Sequence, residues 1–258
     1  MNIITLNTKG GVGKSFIATQ ILPLAFYNNN DANINIFEID NNNKTALSTK
    51  IIQFLNLDVN NIDKILFDVE FSEDINIIDA GGGDDTKSVI KAFAEANIQV
   101  DLFVIPITKD FEVIKNLKDT IELIKKHYDD ANILIVLNRV VADAKSEFIY
   151  FFGNEEYGVE SIKDKLKDVK YIAIKDYNEI DIVKNLHKTT ALDLLLSYKK
   201  VLENEREYRQ SWHKEAKEKY KDKEQQRAYY AKKLQKLLLI KRINNIQQNI
   251  QQLFKAIV

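Results

Sequence analysis

Short apolar runs recur along the first two thirds of the chain, each bounded by polar or glycine-rich residues. Ile3-Ile4-Thr5-Leu6, Ile34 to Ile39, Ile75 to Ile78, Leu102 to Ile107, Ile133 to Leu137 and Val169 to Ile174 are of this kind. Runs of that length are the pattern of strands buried on both faces. Helical stretches intervene, Thr86 to Ala96 and Phe111 to His127 among them. This alternation predicts an α/β fold: a three-layer, mostly parallel sheet with helices on both faces. Ligands in such sheets bind at the carboxyl ends of the strands, and the chain's unusual residues fall at those ends.

From Leu192 onward glycine and proline are absent, which predicts one or two long helices. The chain is therefore read as a domain over 1–195 and a charged helical extension over 196–258. Tyr208, Trp212, Ala216 and Tyr220 recur every fourth residue and share one helix face. Leu239, Ile243, Ile246, Ile250, Leu253 and Ile257 alternate steps of four and three, a heptad seam whose opposite face is Asn and Gln. A membrane-surface helix carries a basic polar face, so this seam points to a coiled coil or a protein contact.

Composition narrows the class. At 258 residues and 45% hydrophobic, the chain can bury a sizeable core. There is no cysteine, which excludes disulfides, cysteine-ligated zinc and iron–sulfur clusters. His127, His187 and His213 show no ligand spacing. No apolar run is long enough to span a membrane. The glycine run begins nine residues in, so no secretory leader is expected, and the chain is expected in the cytoplasm. The net charge of −1 conceals an asymmetry. Residues 201–258 carry 14 basic and 7 acidic side chains, and the remainder 23 and 31. A basic tail on an acidic body fits a polyanion such as nucleic acid, or a charged helix resting on its own body.

The chemistry begins at Lys9-Gly10-Gly11-Val12-Gly13-Lys14-Ser15, set between an apolar strand and the helical run from Phe16. Glycines let backbone N–H groups curl around a phosphate at a helix N-terminus. Lys14 would reach the β- and γ-phosphates and the Ser15 hydroxyl would ligate Mg²⁺. Thr8 stands where the common phosphate loop has its first glycine, and a second lysine, Lys9, follows it.

This two-lysine loop resembles the deviant Walker A motif of the ParA/MinD family of P-loop ATPases. The resemblance covers residues 1 to about 190. It implies ATP and Mg²⁺ as ligands, with Gly10, Gly11, Val12, Gly13, Lys14, Ser15 and Phe16 around the nucleotide. In that family the early lysine, here Lys9, crosses an ATP-dependent homodimer interface to the partner's nucleotide. A second cation neutralises charge developing on the transferred phosphoryl group, as an arginine finger does. Phe37-Glu38-Ile39-Asp40-Asn41-Asn42-Asn43 is similar to the family's Asp-x-Asp-Pro segment, with Asp40 in the place that positions the attacking water. Glu38 replaces the first aspartate there and Asn41 the proline. Ile77-Ile78-Asp79-Ala80-Gly81-Gly82-Gly83 has the form of a Walker B strand end. Asp79 would hold Mg²⁺ and accept from Ser15, and the glycines would sense the γ-phosphate. Val104-Ile105-Pro106-Ile107-Thr108 resembles the family strand that ends near the nucleotide. Leu134-Ile135-Val136-Leu137-Asn138-Arg139 is similar to the strand whose asparagine reads the adenine edge, since an amide both donates and accepts.

The resemblance implies a ParA-like partition ATPase that binds DNA non-specifically, associates with the nucleoid and is stimulated by a ParB-like adaptor. No N-terminal helix-turn-helix is expected, because the chain opens on its first strand. Two other readings share the loop: a MinD-like membrane-positioning ATPase, and a tyrosine-kinase-like phosphotransferase, for which the pair Tyr229-Tyr230 speaks.

Overall fold

The computed structural model describes residues 1–28, 33–41, 46–166 and 169–256. Asn42, Asn43 and the seam residue Ile257 lie outside the described residues. Seven parallel strands form one sheet. They are β1 (Asn2–Thr5), β2 (Ile34–Ile39), β3 (Gln53–Leu57), β4 (Ile75–Ala80), β5 (Leu102–Ile107), β6 (Ile133–Val140) and β7 (Lys170–Lys175), in the order β3-β2-β4-β1-β5-β6-β7. The six apolar runs are all strands. β3 is an addition: Gln-Phe-Leu-Asn-Leu is an edge strand with no fully buried residue, so it lacks the continuous apolar signature.

Alternation within the strands divides the core. Ile3, Ile34, Ile36, Ile75 and Ile77 face one helical layer, and Ile4, Leu6, Phe37, Ile39, Ile78 and Ala80 face the other. The first layer contains α1, which runs as Lys14–Phe16, a π-helical turn Ile17–Ile21, and Leu22–Phe26. The second contains α2 (Asp63–Phe71), α3 (Asp84–Glu95), α4 (Phe111–Lys115) and α5 (Leu117–His127), with α6 (Ala144–Glu147) and α7 (Ile149–Phe152) leading towards β7. The predicted helix over 111–127 is thus two helices.

After β7 the chain returns to the first layer. α8 comprises Asn178–Ile182 and a π-helical turn Val183–His187, and α9 is Ala191–Ser197. α10 (Lys199–Glu203) leads to a hairpin of α11 (Glu205–Lys219) and α12 (Lys223–Lys255). Asp222 caps α12 by accepting from Gln225 N–H at 2.9 Å. The aromatic face of α11 is a packing stripe: Trp212 joins Val201 and Leu237, with Tyr208 and Tyr230 beside them.

The heptad seam departs from expectation. The buried face of α12 is Ile240, Ile243, Ile246, Ile250 and Phe254, inside the same cluster as α1, with Phe254 edge-on to Phe26 at 5.4 Å. Leu239 is half-buried and Leu253 is 38% exposed. A lone helix gains more by burying isoleucines on its own domain, at about 1.5–3 kcal/mol each, than by leaving them exposed. This stretch is therefore committed within the chain rather than to a coiled coil. Among the described residues no helix is long and apolar enough to cross a membrane.

Candidate functional site

β1 delivers the chain to the loop at the centre of the sheet. Asn7, fully buried, fixes the turn: its amide donates to Pro106 O at 2.9 Å and accepts from Lys9 N–H at 2.9 Å. Thr8 Oγ1 meets Thr120 Oγ1 at 3.0 Å and accepts from Asn116 Nδ2. Gly13 has φ +92°, left-handed backbone that favours glycine. A Cβ there would stand 2.2 Å from Asn138 Nδ2. The next residue, Lys14, opens α1. It is buried, and its Nζ donates to Lys9 O at 3.1 Å. Burial lowers the Lys14 pKa, while Asp79 and Asp40 oppose that shift. Lys9 itself is exposed. The two lysines thus have opposite settings, one held inside the loop and one facing out of it.

Opposite the loop, three strand ends align. Thr5, Asp79 and Glu38 are level across β1, β4 and β2. By strand alternation they share the face of Ile3, Ile77 and Ile36, towards α1. All three are buried. Burial first, and then Glu38, push the Asp79 pKa up to about 7, against the influence of Ser15, Lys14 and Lys184. The Ser15 hydroxyl beside it favours the anion, yet neither Asp79 oxygen completes a well-formed hydrogen bond. Thr5 Oγ1 also lacks a partner among the described residues. Buried acceptors of this kind call for a ligand.

Sequence reasoning gives no role in this group to two of its members. Glu38 is visible in principle, since strand parity places it on the face of Ile34 and Ile36. Lys184 is not, because only the return of α8 to the first layer brings it within the field of Asp79 and Glu38. Burial lowers its pKa, and Asp79, Asp181 and Glu38 oppose that shift.

Two segments flank these carboxylates. Asp40 follows β2 directly, and Lys14 lies within its field. Asn41 is tied to Asp85 at the start of α3 by two hydrogen bonds, at 3.0 and 2.9 Å. The glycine run after Asp79 is pinned at both ends: Gly81 N–H donates to Ile39 O at 2.8 Å and Gly83 N–H to Thr8 O at 3.0 Å. A Cβ on Gly81 would stand 2.8 Å from Asp85 Oδ2. Loop, β2 end and β4 end therefore form one hydrogen-bonded frame.

On the far side, the β6–β7 register shifts between Leu137 and Val140, and Arg139 has φ +62°. This irregularity sits at Asn138, which is 2% exposed. Its Nδ2 donates to Val12 O at 3.1 Å, while its Oδ1 has no partner among the described residues. Arg139 lies over the Phe16 ring at 5.6 Å and pairs with Asp181 at 3.4 Å. Tyr229 is engaged within the hairpin, its hydroxyl donating to Glu215 at 2.8 Å.

A glycine loop entering a helix at the centre of a parallel sheet, faced by a buried aspartate, defines a P-loop nucleotide-binding fold. A family model described as the CobQ/CobB/MinD/ParA nucleotide binding domain matches residues 3–173, and the chain belongs to that family. No curated protein matches the sequence. Among solved structures, apo McdA of Cyanothece aligns at TM-score 0.50 and 13% identity, covering 76% of this chain and 93% of that one. The ATP complex of a single-residue variant of Cyanothece McdA aligns at 0.47 and 14%, covering 73% and 88%. A plasmid partition protein from Borrelia burgdorferi aligns at 0.45 and 16%, covering 72% and 95%. At these identities the likeness is one of fold.

Proposed function

We propose that this chain is a partition-type ATPase that hydrolyses ATP with Mg²⁺, dimerises around ATP, binds DNA non-specifically and is stimulated by a ParB-like adaptor. The observation that carries the reading is the pair of lysines in opposite settings. Lys14 is placed to neutralise the phosphates of the nucleotide bound in its own subunit. Lys9 is free to reach the nucleotide of a second subunit. Gly10 to Ser15 supply N–H groups to the phosphates, and Phe16 packs behind them. Asn138, with Nδ2 engaged and Oδ1 unpartnered, is suited to accept from an adenine amino group.

Ser15 and the unpartnered oxygens of Asp79 fit Mg²⁺, which would offset negative charge on the β- and γ-phosphates. Asp40 orients the attacking water beside Lys14. Orientation suffices, because the transition state of phosphoryl transfer is loose. The Asn41–Asp85 pair and the Gly81–Gly83 turn hold Asp40 and Asp79 in one frame, so closure on a γ-phosphate moves both together.

DNA binding is assigned to the tip of the α11–α12 hairpin, where Lys217, Lys219, Lys221 and Lys223 are all exposed. Dimerisation joins two tips, and effective concentration then makes binding depend on ATP. Retardation of duplex DNA with and without ATP tests the reading. Binding should need ATP, fall steeply with salt and weaken when the four lysines become Glu, with basal hydrolysis preserved. Retardation at wild-type protein concentrations by the charge-reversed chain would remove DNA from the tip.

A further inference from the structure

A second concave region lies between the hairpin and the first helical layer, with a volume of about 1250 Å³. Five lysines line it: Lys50, Lys219, Lys232, Lys233 and Lys236. The one carboxylate in its wall among the described residues, Asp193, is already engaged, accepting from Lys50 N–H at 2.8 Å and Ile51 N–H at 2.7 Å. None of the five ammonium groups forms an ion pair among the described residues. The nearby Glu215, whose charge Lys233 and Lys219 feel, is taken by Tyr229 and Ser211.

Aromatic rings hold three of these cations in place. Lys219 lies over Tyr220 and Tyr229 at 5.6 and 5.5 Å, Lys233 over Trp212 and Tyr229 at 5.9 and 5.3 Å, and Lys236 over Tyr198 at 4.8 Å. Such contacts stabilise a cation without cancelling its charge. Like charges gathered around one cavity repel one another, and an anion would relieve that repulsion.

The arrangement selects among anions. A single-stranded nucleic acid binds by stacking its bases on free aromatic faces, and here the chain's own ammonium groups lie over Tyr198, Trp212, Tyr220 and Tyr229, four of the five tyrosine and tryptophan rings in the wall among the described residues. A duplex lies along a surface, whereas this region is concave. Its volume exceeds the usual range of small-molecule sites, about 300–1,000 Å³. What remains on offer is unpaired positive charge along a recess of peptide dimensions. We propose that the cavity receives an acidic polypeptide segment of a partner protein, gripped by Lys232, Lys233 and Lys236 of α12 with Lys50 opposite.

In sequence the cavity wall follows closely on Asp40. Ser48 and Lys50 line the cavity on the chain that continues from Asp40. Ser48 N–H is fixed to Lys188 O at 2.7 Å, and the amides of Lys50 and Ile51 to Asp193. The proposal stands apart from the DNA reading, which uses the exposed tip, except at Lys219, which belongs to both the tip and the cavity wall.

A short fluorescein-labelled peptide of alternating Glu and Ser, titrated with the full chain at low salt and read by anisotropy, tests it. Saturable binding is expected, accompanied by a change in emission from Trp212, the chain's one tryptophan. The K232E/K233E/K236E variant should bind about tenfold more weakly or worse, as several charge-assisted contacts go together. The K217E/K221E/K223E variant should bind the peptide as wild type does. If reversal unfolds the hairpin by circular dichroism, K233Q/K236Q should still weaken binding. Absence of saturable binding to wild type, equal weakening by both reversals, or unchanged binding by folded K233Q/K236Q overturns the proposal. So does duplex DNA that displaces the peptide and depends on the same three lysines, which would make the cavity a nucleic-acid site.

Discussion

Asn41 and Asp85 hold each other at two points: the Asn41 backbone N–H donates to Asp85 Oδ2 at 3.0 Å and its side-chain amide donates to Oδ1 at 2.9 Å. A proline at position 41 could offer neither donor. The departure from the family's proline thus coincides with a direct tie between the segment after β2 and the start of α3. Replacing Asp85 by Ala should lower stability by about 1–3 kcal/mol, because it removes two hydrogen bonds from Asn41 to a charged acceptor. Asn41→Pro should cost a comparable amount, while Asp85→Asn should recover part of it. Urea denaturation of the ligand-free chain measures all three, and a D85A midpoint equal to wild type would show that the tie contributes nothing.

Gly13 and Asn138 form a second such pair. Gly13→Ala should abolish nucleotide binding, since a Cβ meets Asn138 Nδ2 at 2.2 Å and φ is +92°. Adding Asn138→Gly removes the clash but not the backbone strain, so the double variant should regain binding only in part. Calorimetric titration with ATP separates these cases. Full recovery would place the whole effect in the side-chain contact.

Asp79 carries a pH signature. Its folded-state pKa of about 7 lies above the ordinary value of 3.8. The folded chain therefore keeps a proton that the unfolded chain releases between these values. The stability this contributes is full below pH about 4 and is lost as pH rises through about 7. Asp79→Asn removes the buried charge and should stabilise the ligand-free protein at pH 8 by a few kcal/mol, with an upper bound of roughly 4 from the size of the shift. The gain should shrink towards zero near pH 4. Thermal melting of both proteins across this range checks the sign, and a gain that grows as pH falls would contradict it.

Asp40 separates binding from turnover. Asp40→Ala should bind ATP within about threefold of wild type, because binding rests on Lys14, Ser15 and the loop amides, yet lose about 100-fold or more in hydrolysis. Single-turnover phosphate release measures this. Wild-type rates in the variant would remove Asp40 from the water-positioning role.

Much of the site is legible in the sequence because it depends on local order. The loop, Asp40 and Asp79 each follow an apolar run, and a parallel sheet gathers strand ends wherever the runs are read correctly. What escapes depends on distant pairing. β3 lies at the sheet edge, where half-buried Phe54 and exposed Asn56 break the apolar pattern. Lys184 reaches the Asp79 group only through the return of α8. The seam of α12 reads as a contact surface because a heptad pattern alone does not say what covers it. The buried set 240, 243, 246, 250 and 254 is a stripe fitted to the domain's own helices.

The most direct test of the account compares Lys9→Ala with Lys14→Ala, using a slowly hydrolysed ATP analogue and sizing by light scattering. Lys14→Ala should fail to bind nucleotide, because it removes the buried cation that pairs with the phosphates. Lys9→Ala should bind as a monomer with near wild-type affinity and fail to form the ATP-dependent dimer that wild type forms. If Lys9→Ala dimerises as wild type does, or loses binding as completely as Lys14→Ala, then Lys9 does not act across a subunit interface and the two-lysine account is wrong.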